Sequence, residues 1–222
     1  MPKFDTTAPV SAVLDIPAGH IRFIAADRAD TTVEILPANA AKGSDVKAAE
    51  RITVEYRDGV LRIEAAPERN RLLGDCGAVE VTVQLPTGSR VEAKAAGGEF
   101  RGVGRFGDVT FELAQGSVKL DEAESARVTL LDGDVSVRRL RGAARISTQK
   151  GDITVAEAMG GEVVLRTESG DVSVVAARGV CAALDAGTGY GRIDNALRNT
   201  DGTADLTIHA TTAYGDIAAR SL

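Results

Sequence analysis

A glycine followed by a polar residue and then by valine or isoleucine recurs at near-regular intervals along this chain. Most of the instances are Gly107-Asp108-Val109, Gly116-Ser117-Val118, Gly133-Asp134-Val135, Gly151-Asp152-Ile153 and Gly170-Asp171-Val172; the series ends with Gly191-Arg192-Ile193 and Gly215-Asp216-Ile217. From Gly116 onward the gaps are 17, 18, 19, 21 and 24 residues. Positions two and four beyond the glycine alternate as a strand does: Val135 and Val137, Ile153 and Val155, Val172 and Val174. Seven and five before it stand Ala126 and Val128, Ala144 and Ile146, Val163 and Leu165, with Leu130, Thr148 and Thr167 three before. The residues between are mostly polar, among them Arg145, Ser147, Thr154, Arg166 and Ser173. Each unit therefore reads strand, tight turn, strand with one buried face, the glycine supplying positive φ and the Asp bonding nearby amides.

One such unit cannot fold alone. About five inward side chains contribute at most ~1.5 to 3 kcal/mol each, whereas ordering about 18 residues costs ~18 to 36 kcal/mol. Stacked units share ladder hydrogen bonds and a common core, which makes a solenoid the natural solution. The expected fold is all-β, a right-handed parallel β-helix (β-solenoid) with a less regular N-terminal β portion. A meander of antiparallel hairpins carries the same alternation and is the structural rival. We read one domain over residues 1–222, with an irregular portion at 1–98 and the Gly-Asp repeat region at 99–222.

The first half alternates without the clean repeat, most plainly in Val79-Glu80-Val81-Thr82-Val83-Gln84-Leu85. Further strands are expected at Val10 to Ile16, Ile21 to Ala25, Thr32 to Leu36, Ile52 to Tyr56 and Leu61 to Ala65. Asp58-Gly59 is a hairpin signal, and Pro17-Ala18-Gly19 and Pro86-Thr87-Gly88 read as turns. Residues 44–50 suit a short helix, with Ser44 or Asp45 as N-cap, covering an otherwise open end.

Composition narrows the function classes. The chain is 44% hydrophobic and 26% charged, a globular balance. With 24 glycines, no tryptophan and 4% aromatics, small aliphatic side chains must do the packing. A net charge of −6 argues against a nucleic-acid partner, since phosphate affinity comes from Lys and Arg that displace counterions. No stretch approaches the ~20 apolar residues of a membrane span. The first twenty residues lack an apolar run of signal-peptide length, so a cytoplasmic address is expected by default. Cys76 and Cys181 are far apart and without paired spacing, as in reduced thiols.

The opening Met1-Pro2-Lys3-Phe4-Asp5-Thr6, the segment Ser44 to Tyr56, the Gly-Asp-Val repeats and the closing Tyr214-Gly215-Asp216-Ile217 together resemble the bacterial putative-adhesin family of β-strand repeat proteins, a domain-of-unknown-function family. The resemblance covers nearly the whole chain. It implies an architecture similar to right-handed β-helices and supplies no catalytic residue pattern to carry over.

Candidate chemistry is sparse. Stacked rungs would place Asp134, Asp152 and Asp171 ~5 Å apart, where like charges repel by ~1 kcal/mol per pair in water. Calcium would relieve that repulsion, but calcium-binding solenoids use a nonapeptide with extra glycines, so plain turn chemistry is the main reading. Asp185 and Asp194 flank an irregular unit, Gly187-Thr188-Gly189-Tyr190-Gly191, read as a terminal rung loosening toward its cap. Gly102-Val103-Gly104-Arg105-Phe106-Gly107 opens a strand and not a helix, which removes a dinucleotide reading. His20 and His209 are too few for a triad or a His-based metal site and read as strand-surface residues. Cys181 reads as buried and inert. The loop carrying Arg69, Arg71, Leu72 and Leu73 is a candidate docking point for a partner. No cofactor is implied. The expectation is a non-enzymatic scaffold or interaction (adhesin-like) module for a protein or glycan partner or another copy of itself; the alternative is a carbohydrate-active β-helix enzyme.

Overall fold

The computed structural model describes residues 2–66, 77–199 and 203–222. Period-two alternation dominates the sequence, and the described residues are accordingly mostly strand, joined in one sheet system with a single helix. The first half holds β1 (Lys3–Asp5), β2 (Ser11–Ala26), β3 (Asp30–Pro37), α1 (Gly43–Glu50), β4 (Ile52–Arg57), β5 (Val60–Ala65) and β6 (Val79–Pro86). A continuous run, β7 (Arg90–Asp132), leads into β8 (Val135–Leu140), β9 (Ala144–Ser147), β10 (Ile153–Ala158), β11 (Gly161–Arg166) and β12 (Val172–Ala176). The chain closes with β13 (Ala182–Tyr190), β14 (Ile193–Ala196), β15 (Leu206–Tyr214) and β16 (Ile217–Ser221).

The repeat builds two parallel ladders. One runs β7, β8, β10, β12, β16, β14, with Val118, Val135, Ile153, Val172, Ile217 and Ile193 side by side. The other runs β7, β9, β11, β15, β13, with Ala126, Ala144, Val163, Ile208 and Leu184 in line. Equal repeat positions thus meet at equal heights, a solenoid-like stack whose core is made of columns of Val, Ile, Leu and Ala. The aromatic part of the core sits toward the N-terminal coils, where Phe23, Phe100, Phe106 and Phe111 are buried and Phe100 packs against both Phe23 and Phe111.

Two features depart from expectation. First, the parallel stack begins well before residue 99. Ser11 to Ile24 of β2 lie in parallel register against Arg90 to Val103 of β7, and the other edge of β2 pairs in parallel with β5 and β6. The expected division at 98/99 is therefore not a structural one; the early coils belong to the same stack. Second, spatial order differs from chain order at the C-terminal end. The coil made by β15 and β16 inserts between the coil of β11 and β12 and the coil of β13 and β14. The gap of 24 residues spans this exchange, since between Gly191 and Gly215 the chain passes from the last coil back to the inserted one.

The N-terminal end of the stack is closed by antiparallel strands. β4 pairs with β5 through a hairpin whose turn residues Asp58 and Gly59 have φ of 53° and 79°. β3 pairs antiparallel with β6, and β1 with β3. The helix forms where expected, and Ala48 and Ala49 pack on the core. Its N-cap is Lys42, without a side-chain cap bond. Asp45 instead is buried and accepts the Ala78 amide N–H at 3.1 Å, tying the helix to the entry of β6.

Candidate functional site

The most regular feature is the corner column. Gly19, Gly98, Gly116, Gly133, Gly151, Gly170, Gly215 and Gly191 stand in single file: a Cβ on each later member would fall 1.5 to 2.2 Å from the carbonyl oxygen of the glycine before it in that order. From Gly98 onward their φ angles lie between 131° and 158°, open to glycine and strained for other residues. Side chains beside the column satisfy the groups the corner leaves free. Thr148, Thr167, Thr212 and Thr188 donate their hydroxyls to the carbonyls of Gly133, Gly151, Gly170 and Gly215 at 2.9 to 3.3 Å.

The Asp residues form a second ladder. Oδ1 of Asp134 accepts the amide N–H of Asp152, Asp152 accepts that of Asp171, and Asp171 accepts that of Asp216, at 2.7 to 2.8 Å. Asp216 accepts the amide of Arg192 at 2.8 Å and also its guanidinium at 2.9 Å. These bonds from Arg192 hold the Asp216 carboxyl below the usual range and raise the Arg192 guanidinium. The acidic column is thus occupied with turn chemistry. Among the described residues no group of three or more His, Cys, Asp or Glu is placed to hold a metal ion.

Outside the corners, charges of opposite sign on neighbouring rungs lace the stack. Lys94 pairs with Glu112 and Lys119 with Glu99, both at 3.4 Å. Arg139 pairs with Glu157 at 2.7 Å and Arg141 with Glu122 at 3.1 Å, the Glu157 contact raising the Arg139 guanidinium. Not every arginine follows this rule, and three of the exceptions share one groove. Arg90, Arg127 and Arg145 line an open groove of about 520 Å³ together with Asp108, Ser125 and Glu162. None of the three has an ion pair with a described residue, whereas Asp108 is held by the Ser125 hydroxyl at 2.6 Å. Arg127 and Arg145 are direct register partners on β7 and β9, so their guanidinium groups project from adjacent rungs of one face. Like charges so placed repel, and an anionic group bridging them would relieve the repulsion. A smaller cleft of about 400 Å³ is lined by His20, Arg22, Glu80, Thr82, Glu99 and Arg101, with His20 3.9 Å from Glu99.

The sequence reading placed Thr148 and Thr167 at one repeat position but not their bonds to the corner carbonyls, and it missed the arginine pair, although both have a signal. Arg127 and Arg145 occupy the same repeat position, six residues before their corner glycines, and the threonines stand three before theirs. The irregular unit is the coil at the end of the stack: Asp185 is exposed with its carboxylate 3.3 Å from His209 Nδ1, and Tyr190 stacks on Tyr214 at 5.1 Å. His20 and His209 lie on strand surfaces, as expected. Cys181 corrects its expectation: it is a free, partly exposed thiol, because it sits at the entrance of this last coil, which no further rung covers among the described residues. Arg69, Arg71, Leu72 and Leu73 lie outside the described residues.

A family model described as Toastrack DUF4097 matches residues 13–221. No curated protein matches the chain. Among solved structures, it is similar to a putative cell adhesion protein from Clostridium sporogenes, at 11% identity and TM-score 0.44, over 100% of this chain and 98% of that one. A putative adhesin from Bacteroides fragilis matches at 13% identity and TM-score 0.49, over 98% and 95%. A putative lipid binding protein from Parabacteroides distasonis matches at 12% identity and TM-score 0.46, over 98% and 95%.

Proposed function

The chain belongs to the Toastrack DUF4097 family, and from that premise we propose that it is a non-enzymatic β-solenoid scaffold or interaction module, adhesin-like in holding a protein or glycan partner against a broad side face. On this reading the coils wind as a right-handed parallel β-helix, the hand that parallel crossovers within one sheet adopt. The observation that carries the proposal is the groove in which Arg90, Arg127 and Arg145 lack ion pairs with described residues while the rungs beside them are laced by opposite charges. Unpaired guanidinium groups on a rigid face suit carboxylates presented at intervals by the partner. A scaffold that fixes these side chains on strands loses little conformational freedom on binding. A reducing, cytoplasmic setting is part of the same proposal, supported by the distant spacing of the two cysteines.

The test is a titration with polygalacturonate and with poly-glutamate, which offer the same chemistry on a glycan and on a peptide. One of the two is expected to bind in a salt-dependent manner and to lose at least about tenfold in affinity in the R127A/R145A double variant. Binding of neither, or binding unaffected by the double variant, contradicts the proposal. New reducing ends or unsaturated products after incubation with a polysaccharide panel would establish the enzyme alternative in its place.

A further inference from the structure

The two ends of the stack differ in kind. The N-terminal end is finished by antiparallel strands and a helix. The other end is the coil of β13 and β14. Among the described residues β13 pairs only with β15 and β14 only with β16, so the outer edge of each strand carries unsatisfied N–H and C=O groups. Ala182 at the start of β13 is buried, but further along the coil the inward residues lack a covering rung among the described residues. Ile193 continues a column whose five other members are at most 1% exposed, yet is itself 45% exposed, and Leu184 and Ala186 are only partly buried. Tyr190 is 72% exposed beyond its stack on Tyr214. Open edges beside apolar surface are association sites unless something blunts them.

From this we infer that the β13–β14 coil is an isologous interface, where a second copy of the chain docks end to end about a two-fold axis and its edge strands meet these antiparallel. Three observations select that occupant. A further parallel rung, as in a growing filament, would need a carboxylate at the corner to receive its amide; the last corner has Arg192 where Asp134, Asp152, Asp171 and Asp216 each serve the next rung. The single-partner strands at the opposite end, β1 and β4, belong to antiparallel pairs and not to a parallel coil with a glycine corner, so among the described residues that end does not match this one and like ends are the pair that meets. The end is also complementary to itself in charge: Asp185 and Asp194 stand with Arg192 and Arg198. Antiparallel pairing centred on Ile193 places Arg192 of each copy opposite Asp194 of the other and brings the two Ile193 side chains together. A single peptide strand would occupy one edge and leave the other, with the core between them, uncovered.

The inference stands on the end coil and is independent of the arginine groove. It is tested by sedimentation equilibrium and light scattering from micromolar to submillimolar chain. The wild type is expected to reach twice the 23.1 kDa chain mass and to stop there. The exposed-position variants I193K and Y190K are expected to remain monomeric with an unchanged circular dichroism spectrum. L36K, which places the same charge at an exposed position on β3 at the capped end, is expected to dimerise as the wild type does. A wild type that stays monomeric, a mass that keeps growing past two copies, or a dimer lost in L36K but kept in I193K would overturn the inference. Polygalacturonate and poly-glutamate titrations of monomeric I193K report on the groove separately.

Discussion

Replacing Gly151 by Ala is the sharpest perturbation of the corner column. The new Cβ would lie 2.2 Å from the Gly133 carbonyl oxygen and 2.5 Å from its carbon, at a φ of 131°. Ordinary contact needs the two rungs to part by roughly an ångström, far more than a close-packed interior gives up freely. Three bonds cross that corner: Gly133 N–H to Lys150 O at 2.7 Å, Asp152 N–H to Asp134 Oδ1 at 2.8 Å, and Thr148 Oγ1 to Gly133 O at 3.3 Å. Losing these three at ~1 kcal/mol each, with ~1 to 2 kcal/mol for the backbone conformation, gives a destabilisation of about 4 kcal/mol. That is a large share of the ~5 to 15 kcal/mol typical of a folded domain. Urea denaturation followed by circular dichroism reads it as a lower midpoint at unchanged slope. The control is Gly187→Ala on the end coil, where a Cβ meets nothing within 4 Å; its effect should stay within ~0.5 kcal/mol. A G151A cost below about 1 kcal/mol, or an equal cost in G187A, would refute the stacked-corner reasoning.

Other consequences follow from the same ladders. D171A should cost ~0.5 to 1.5 kcal/mol by freeing the Asp216 amide, whereas D171N, which keeps a carbonyl acceptor, should cost much less; equal losses would mean that the charge and not the acceptor matters. Millimolar calcium should leave the melting temperature of chelator-treated protein unchanged, and a clear rise would establish an ion at the column. Because the folded Asp216 carboxyl titrates below its unfolded value of ~3.9, its contribution is present above that value and lost as pH falls through the folded one. The protection of the β14 amides, measured as hydrogen exchange relative to the intrinsic rate at each pH, should therefore fall only at acid pH, and R192Q should weaken that dependence. Asp30, held at about 2 by hydrogen bonds from Arg28 and then Lys3, should behave likewise at the β1–β3 pairing, between the usual carboxylate range and that value.

The corner file was legible in the sequence because a backbone requirement leaves glycine as its mark. Three consecutive Gly-Asp corners, at Gly133, Gly151 and Gly170, also lie next to one another in space. The earlier coils were harder to see: Gly19-His20-Ile21 and Gly98-Glu99-Phe100 have the glycine, polar, apolar order but lack Asp, and an inserted stretch of antiparallel strands and helix separates them. The exchanged order of the last two coils was not legible. Rungs with equal inward columns fit against one another in any sequence of stacking, so Val172 accepts Ile217 as readily as Ile193. What distinguishes them is the corner residue, since Arg192 suits only the last place. The shared repeat position of Arg127 and Arg145 marks them as neighbours, but their lack of ion pairs depends on which outward positions find partners across rungs, information that exists only once the register is set.

The account rests on rungs in register with the C-terminal coil inserted, and engineered disulfides test this directly. In a variant lacking Cys76 and Cys181, Ser173 and Ala218 are register partners on adjacent strands, whereas Ser173 and Asp194 are separated by the β16 strand between them. Neighbouring strands lie ~4.8 Å apart, and a disulfide needs Cα atoms within about 7 Å. S173C/A218C should therefore oxidise readily to an intramolecular bond, and S173C/D194C should stay reduced. The reverse pattern would mean that the coils stack in chain order and would contradict the account.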